Sequence, residues 1–153
     1  EKVYNNAALD IPIAPSDTVR NYIDFLERNR KEWGGMAKNT FIDNADQATI
    51  TEFAKYKREH HECLYIFNNA YKKVTIIDRI NLQLGWMSFN DEKGKEPSYY
   101  VVDTCTNYIG ELQVYSWLED KDCEPEDGND HMVNSTQYGW IPYRDKVGVE
   151  NRE

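Results

Sequence analysis

The apolar residues of this chain change their spacing along the sequence, and that change limits the folds open to it. Over 19–33 they recur every three or four residues, as on one face of an α-helix. Over 80–86 they recur at every second residue, as on one face of a half-buried strand. The change falls between Leu64 and Val74, so the sequence predicts helices first and a sheet afterwards.

Two helices are predicted in the first part of the chain. The first spans 16–33, with Ser16 as its N-cap and Gly34-Gly35 as its end, because glycine readily adopts the left-handed conformation after a helix. The second begins near Thr49, which has capping-box spacing to Glu52. Residues 63–67 fit either the end of this helix or a buried strand, and the sequence leaves that choice open.

The remainder of the chain is predicted to form strands joined by short loops. Because parallel neighbours need long crossover connections, short loops indicate antiparallel pairs. A solvated hairpin loop is expected at 91–97, between apolar segments. The predicted strands are 80–86, 99–104, 112–118 and a short edge strand at 138–143.

These elements predict an α+β fold in which the N-terminal helices pack on one face of a mostly antiparallel, curved sheet. The two-layer outline resembles cone-shaped, cystatin-like folds, a likeness of architecture that implies no function. A length of 153 residues is typical of one domain, so a single domain is predicted over 1–153. Within it we expect an extended arm at 1–15, an acidic loop at 119–131 and a frayed tail at 146–153.

The charge balance restricts the partners that the chain can bind. The sequence contains 27 Asp and Glu against 18 Lys and Arg, a formal net charge of −9. Duplex nucleic acid is bound mainly by neutralising phosphates with Lys and Arg, so a nucleic-acid partner is not expected. The same charge disfavours an anionic membrane surface and permits a basic protein partner. No apolar run approaches the roughly 18 residues of a membrane-spanning helix.

Metal and cofactor motifs are lacking in the sequence. The cysteines are Cys63, Cys105 and Cys123, without a CxxC pair, so neither a disulfide framework nor a zinc site is predicted. The acidic loop fails the EF-hand pattern, because Pro125 stands where that loop needs glycine. Adjacent histidines, here His60 and its neighbour, point about 100° apart on a helix and cannot easily share one metal. We therefore predict no metal and no cofactor.

Catalytic motifs are also lacking, and no catalytic residue is assigned. A Cys–His–Asp set could be drawn from Cys105, His131 and Asp103, but sequence does not show whether these side chains reach one another. The nucleophile-elbow, P-loop and dinucleotide-binding patterns do not occur. A single glycosylation sequon at Asn134 does not decide the compartment, which the sequence leaves open.

Aromatic and acidic residues supply the candidate binding surface. The chain has 11 Tyr and 4 Trp, residue types that are enriched at binding surfaces. If 112–118 is a strand with leucine and valine facing the core, Tyr115 and Trp117 face the other side. They then form an open patch beside the acidic loop, or the N-terminal arm or the last segment covers them, and the sequence leaves that choice open. The predicted binding residues are Tyr99, Tyr115, Trp117, Asp120, Asp122, Glu124 and Trp140.

The expected function is that of a non-enzymatic protein-binding domain, of the inhibitor or immunity type that neutralises a partner. One alternative is a small-ligand or catalytic pocket between helix and sheet, with Asp103 as base. Its lining would be Tyr22, Trp33, Trp86 and Tyr100. A second alternative is a secreted or lipid-anchored bacterial domain of structural role.

Overall fold

The computed structural model describes residues 11–70, 73–117, 125, 128 and 130–144. The chain divides into two compact units, Glu1–Ala70 and Tyr71–Glu153. The predicted tail, and most of the predicted arm and acidic loop, lie outside the described residues. The elements are α1 Pro15–Trp33, β1 Asn39–Ile42, α2 Gln47–Glu59, β2 Ile66–Asn69, α3 Ile76–Met87, α4 Thr106–Val114 and α5 His131–Trp140, with 3₁₀ turns at Asp91–Lys93 and Ile141–Tyr143.

The predicted antiparallel, curved sheet is wrong, because the described part of the chain is mostly helical. Its named strands are β1 and β2, which pair in parallel with Asn39 opposite Ile66. Helix α2 is the crossover that a parallel pair requires. Antiparallel pairing among the described residues is limited to two isolated bridges, Asn90–Lys95 and Trp117–Pro125. A cystatin-like cone is therefore not formed.

Helix α1 is present where the sequence predicts it, with a different cap. Pro15 is its first residue and Ala14 its N-cap, because the fixed φ of proline suits the first helical position. Ser16 therefore lies inside the helix instead of capping it. Gly34 ends the helix as predicted, with φ 70°, and its N–H donates to the Arg30 carbonyl at 3.1 Å.

Helix α2 begins two residues before the predicted start. The carboxylate of Asp46 accepts the backbone N–H of Thr49 at 3.0 Å, so Asp46 is the cap and Thr49 a first-turn residue. Downstream, the ambiguous segment 63–67 is resolved as the approach to β2, which begins at Ile66. The first unit thus has the order helix, strand, helix, strand.

The core of the first unit lies between its helices and the β1–β2 pair. Phe53 of α2 is buried and contacts the ring of Phe67 with centroids 4.5 Å apart. The ring of Tyr22 on α1 packs edge-on against the ring of Phe53, with centroids 5.7 Å apart. The Tyr22 hydroxyl lies 3.1 Å from Oγ1 of Thr40 on β1. Both helices are therefore attached to the face of the sheet that carries Thr40 and Phe67.

The strand predicted over 80–86 is wrong, because these residues lie in α3. The buried side of α3 consists of Arg79, Ile80, Gln83 and Trp86, which have helical spacing. Leu84, which the strand interpretation places in the core, is 61% exposed. The two-residue alternation of apolar and polar residues is misleading here, because the polar Arg79 and Gln83 are buried while the apolar Leu84 faces outward.

Gln83 can be buried because both ends of its amide are hydrogen-bonded. Its Nε2 donates to the Tyr108 hydroxyl at 2.6 Å, and its Oε1 accepts Nε2 of Gln137 at 3.0 Å. A buried polar group without such partners would cost about 1–3 kcal/mol. These bonds connect α3 to α4 and to α5, which the local sequence around Gln83 does not reveal.

The other predicted strands are also wrong. Residues 112–114 belong to helix α4, which ends at Val114, and no strand forms at 99–104. The segment 138–143 is the end of α5 followed by a 3₁₀ turn, so Trp140 is helical. The hairpin-like turn at 91–97 does form, with Gly94 at φ 61° and the Asn90–Lys95 bridge closing it. The core of this unit is Trp86, Trp140 and Ile141, with Val74, Leu82 and Tyr99 packed against it.

Candidate functional site

An apolar groove of about 280 Å³ lies in the second unit, between α3 and the end of α4. Helix α3 supplies one wall through Ile80, Leu84 and Met87, which follow one another at i, i+4 and i+7. The remaining lining residues are Gln83, Leu112, Tyr115, Ser116 and Trp117. We call this feature the α3–α4 groove.

Large apolar side chains at the α3–α4 groove are open to solvent. Leu84 is 61% exposed and Trp117 is 40% exposed. A single exposed leucine or tryptophan on a surface is ordinary, whereas here two exposed apolar side chains border one groove. Met87, half-buried beside them, has a flexible side chain that can adjust to the shape of a ligand.

The side-chain polar atoms of two groove residues, Gln83 and Tyr115, are buried. Gln83 is only 5% exposed, and its amide is already bonded to Tyr108 and Gln137. The Tyr115 hydroxyl is buried and has no hydrogen-bond partner among the described residues. The groove therefore offers apolar contact more than hydrogen bonds.

Tyr115 keeps its proton under physiological conditions. Burial raises the pKa of its phenol, the carboxylate of Asp130 raises that pKa further, and the guanidinium of Arg79 opposes the change. The aromatic ring at the groove is consequently neutral at pH 7. Contact with an apolar group at this ring carries no penalty for burying a phenolate.

The structure brings only part of the predicted binding set to the groove. Tyr115 and Trp117 line it, whereas Trp140 packs edge-on against Trp86 in the core, with ring centroids 4.5 Å apart. Tyr99 packs against the same core, and its hydroxyl donates to the Tyr108 oxygen at 3.3 Å. The predicted acidic residues Asp120, Asp122 and Glu124 lie outside the described residues.

Two groove residues that sequence reasoning missed, Leu84 and Met87, belong to α3. The segment 75–78 carries a signal for this helix, since Thr75 and Asp78 have capping-box spacing before an apolar run. The structure shows that cap: the Thr75 hydroxyl oxygen accepts the N–H of Asp78 at 3.2 Å. This cap predicts a helix that starts after Thr75, and such a helix places Leu84 and Met87 on one face.

The residues of the alternative pocket are differently placed within their own units. In the first unit, Tyr22 packs on Phe53, whereas Trp33 is exposed at the end of α1. In the second unit, Trp86 is part of the core, and Tyr100 and Asp103 are exposed.

His60 and His131 have other neighbours than those of a metal site. His60 stacks on Tyr56 with centroids 4.2 Å apart, and its Nδ1 lies 3.1 Å from Glu62. His131 is exposed at the start of α5, beside Asp130. In the part of the chain that the structure describes, no group of three or more His, Cys, Asp and Glu side chains could hold a metal ion. The Asn134 sequon lies in α5 and not in a surface loop.

Comparison of the chain with protein-family models, with curated proteins and with solved structures finds no match. Within the described ranges, no helix combines the length and the apolar composition needed to cross a bilayer. The α3–α4 groove, with its exposed apolar side chains and the charges of the surrounding sequence, is the basis on which a function is proposed.

Proposed function

We propose that the chain is a protein-binding domain and that the α3–α4 groove is its contact surface. The observation that carries this proposal is the convergence of two large, exposed apolar side chains, Leu84 and Trp117, on one apolar groove. Removing such surface from water contributes about 25 cal/mol per Å² to binding. Buried tryptophan at the centre of an apolar contact is also a common energetic hot spot in protein interfaces.

The size of the groove suits a protein side chain as its occupant. Its volume of about 280 Å³ lies at the lower end of the range of roughly 300–1,000 Å³ that is usual for sites of drug-sized ligands. One or two apolar side chains from a partner fit such a space. The flexible Met87 side chain provides the adjustment that seating them requires.

The charge of the surrounding sequence favours a basic partner. Residues 71–153 contain 16 Asp and Glu against 9 Lys and Arg. Trp117, which lines the groove, forms an isolated antiparallel bridge with Pro125. The sequence between these two residues contains Glu119, Asp120, Asp122 and Glu124 and one lysine. Opposite charge steers partners together and sets specificity. A basic toxin or enzyme that the domain neutralises fits these two properties.

The decisive experiment compares groove variants with a matched surface variant. Wild type, Leu84→Glu, Trp117→Ala and Tyr100→Ala are used to capture partners from the native source. Tyr100 is the control, because it is an exposed aromatic residue of the same unit that does not line the groove. We expect the partner to be lost with the two groove variants and kept with Tyr100→Ala.

Two further measurements separate binding from folding and test the charge. Hydrogen exchange of α3 and α4 checks that each variant keeps its helices, and in the complex it should show protection at 84–87 and 114–117. Replacing Asp120, Asp122 and Glu124 by their amides should lower the association rate more than it raises the dissociation rate. If both groove variants keep every partner that wild type captures, the proposed surface is wrong.

A further inference from the structure

A second groove, of about 370 Å³, follows strand β2 in the first unit. It touches five consecutive residues of the chain, 65–69, together with Ile42 and a face of α2. The residues of that face are Ile50, Phe53, Ala54 and Lys57. Since successive side chains of a strand point to opposite faces, a surface that touches all of 65–69 must follow an edge of the strand. We call it the β2-edge groove.

The backbone bonds of β2 show which edge is open. The N–H of Ile66 donates to the Lys38 carbonyl and the N–H of Ala70 to the Ile42 carbonyl, each at 2.8 Å. In a parallel pair every second residue bonds to the same neighbouring strand, so residues 66, 68 and 70 face β1. The N–H and C=O groups of Phe67 and Asn69 therefore point away from β1, and no described residue bonds to them on that side.

This open edge lacks the features by which proteins prevent strands from pairing with it. Natural edge strands are protected by charged side chains, by proline or by a bulge. The sequence of β2 is Ile-Phe-Asn-Asn, without charge or proline. Sheets in globular proteins moreover usually contain more than the two strands that the described residues form. The backbone of β2 is thus prepared for a third strand.

Lys57 gives the β2-edge groove a charge at one end. It is the only charged residue among the described residues that line the groove. Its ammonium group carries three protons, and the carbonyls of Cys63 and Tyr65, in the segment before β2, accept two of them. The third proton has no partner among the described residues, so it and the positive charge can interact with a carboxylate.

We infer that the β2-edge groove binds an extended peptide segment of another protein as a third strand, with a carboxylate of that segment at Lys57. Backbone bonds to Phe67 and Asn69 provide the pairing, and side chains on one face of the segment pack over Phe53. Strand addition beside a helix is a general mode of peptide recognition. This site is distinct from the α3–α4 groove and does not depend on its function.

The test uses two libraries of degenerate hexapeptides that lack Asp and Glu. One library has a free C-terminal carboxylate and the other a C-terminal amide, so they differ only in the charge that Lys57 recognises. Binding to the full chain is followed by NMR, through hydrogen exchange of the backbone amides. We expect the free-acid library to slow exchange at Phe67 and Asn69, and the amidated library to bind about tenfold more weakly.

Two tryptophan variants of α2 provide the matched control. Ala54 is exposed and lines the groove, whereas Ala48 is exposed on the same helix outside it, so neither replacement disturbs the core. Ala54→Trp should abolish binding of the free-acid library, and Ala48→Trp should leave it unchanged. Lys57→Gln should remove the preference for the free acid. Unchanged exchange at Phe67 and Asn69, equal binding of the two libraries, or full binding by Ala54→Trp would each overturn the inference.

Discussion

A single carboxylate of α4 holds the start of α5. Oε2 of Glu111 accepts the backbone N–H of Met132 at 2.6 Å and that of Val133 at 3.0 Å. The first N–H groups of a helix have no partner within the helix, and a negative charge there interacts favourably with the helix dipole. Asp130, the N-cap residue, makes no side-chain cap bond of its own. Glu111 therefore stabilises α5 from a position 21 residues away in the sequence.

Removing this carboxylate should destabilise the second unit. Glu111→Ala is expected to lower the free energy of unfolding by about 1–2 kcal/mol, because two amide groups lose their acceptor. Glu111→Gln should cost less, since an amide oxygen still accepts a hydrogen bond. Urea unfolding measures both, with Glu96→Gln at an exposed position as the control for loss of charge. An equal effect of Glu111→Gln and Glu111→Ala, both matching the control, would contradict the role of this cap.

Tyr65 makes the stability of the first unit sensitive to alkaline pH. Its hydroxyl donates to Oε1 of Glu27 at 2.6 Å. Burial first, and then this bond to a carboxylate, raise the pKa of the phenol to about 12. The pKa of this phenol in the folded protein lies above its ordinary value of 10.0. The stabilisation that the protonated phenol gives to the folded state is therefore intact below pH 10 and is lost as the pH rises through about 12.

Tyr65→Phe should flatten that alkaline loss of stability. At pH 8 the variant should be less stable than wild type, because phenylalanine cannot form the hydrogen bond to Glu27. The difference in the free energy of unfolding should shrink as the pH approaches 12. Urea midpoints at intervals between pH 8 and 12 give the measurement. Parallel curves for the two proteins would show that this phenol does not titrate with unfolding.

Among the elements, those that local signals define were predictable from the sequence. Helix α1 has an apolar stripe and a glycine end, and both are encoded within its own residues. Helix α3 was mistaken for a strand because Arg79 and Gln83 lie on its buried side. Burial of Gln83 depends on Tyr108 and Gln137, which belong to other helices, so no local pattern reveals it.

The candidate site was predictable to the same limited degree. Tyr115 and Trp117 were selected because a strand at 112–118 would turn them away from the core. That strand is wrong, since α4 extends to Val114, and Val114 is 59% exposed. Leu84 was missed because the two-residue period places it in the core. The association of α3 with the end of α4, which creates the groove, is a tertiary contact and has no signature in either segment alone.

The end of α1 depends on one glycine that needs a left-handed backbone. Gly34 has φ 70°, where a side chain is strained, whereas the adjacent Gly35 has no such positive angle. Gly34→Ala should therefore lower the free energy of unfolding by about 1 kcal/mol. Gly35→Ala should change it by less than about 0.5 kcal/mol, and it is the matched control. Equal effects in urea unfolding would mean that the helix end tolerates another conformation.

The two units of the whole molecule differ in charge. Residues 1–70 contain 11 Asp and Glu against 9 Lys and Arg, and residues 71–153 contain 16 against 9. The formal charge is therefore −2 in the first unit and −7 in the second. The basic partner proposed for the α3–α4 groove complements the negative charge of the second unit. The carboxylate proposed for the β2-edge groove complements the positive charge of Lys57. The molecule as a whole thus presents two surfaces of different chemistry.

Salt distinguishes the two surfaces in one protein. The partner captured through the α3–α4 groove should associate about tenfold more slowly when NaCl is raised from about 50 to 500 mM, because screening removes long-range attraction to the acidic unit. Binding of the free-acid hexapeptides at the β2-edge groove should change by less than about threefold, since it depends on one partly buried charge pair and on backbone bonds. Surface plasmon resonance on the full chain measures both rates under the same conditions. A groove association that does not respond to salt would remove charge from the recognition of that partner, and a steep response at β2 would mean that the peptides are held by charge instead of by strand pairing.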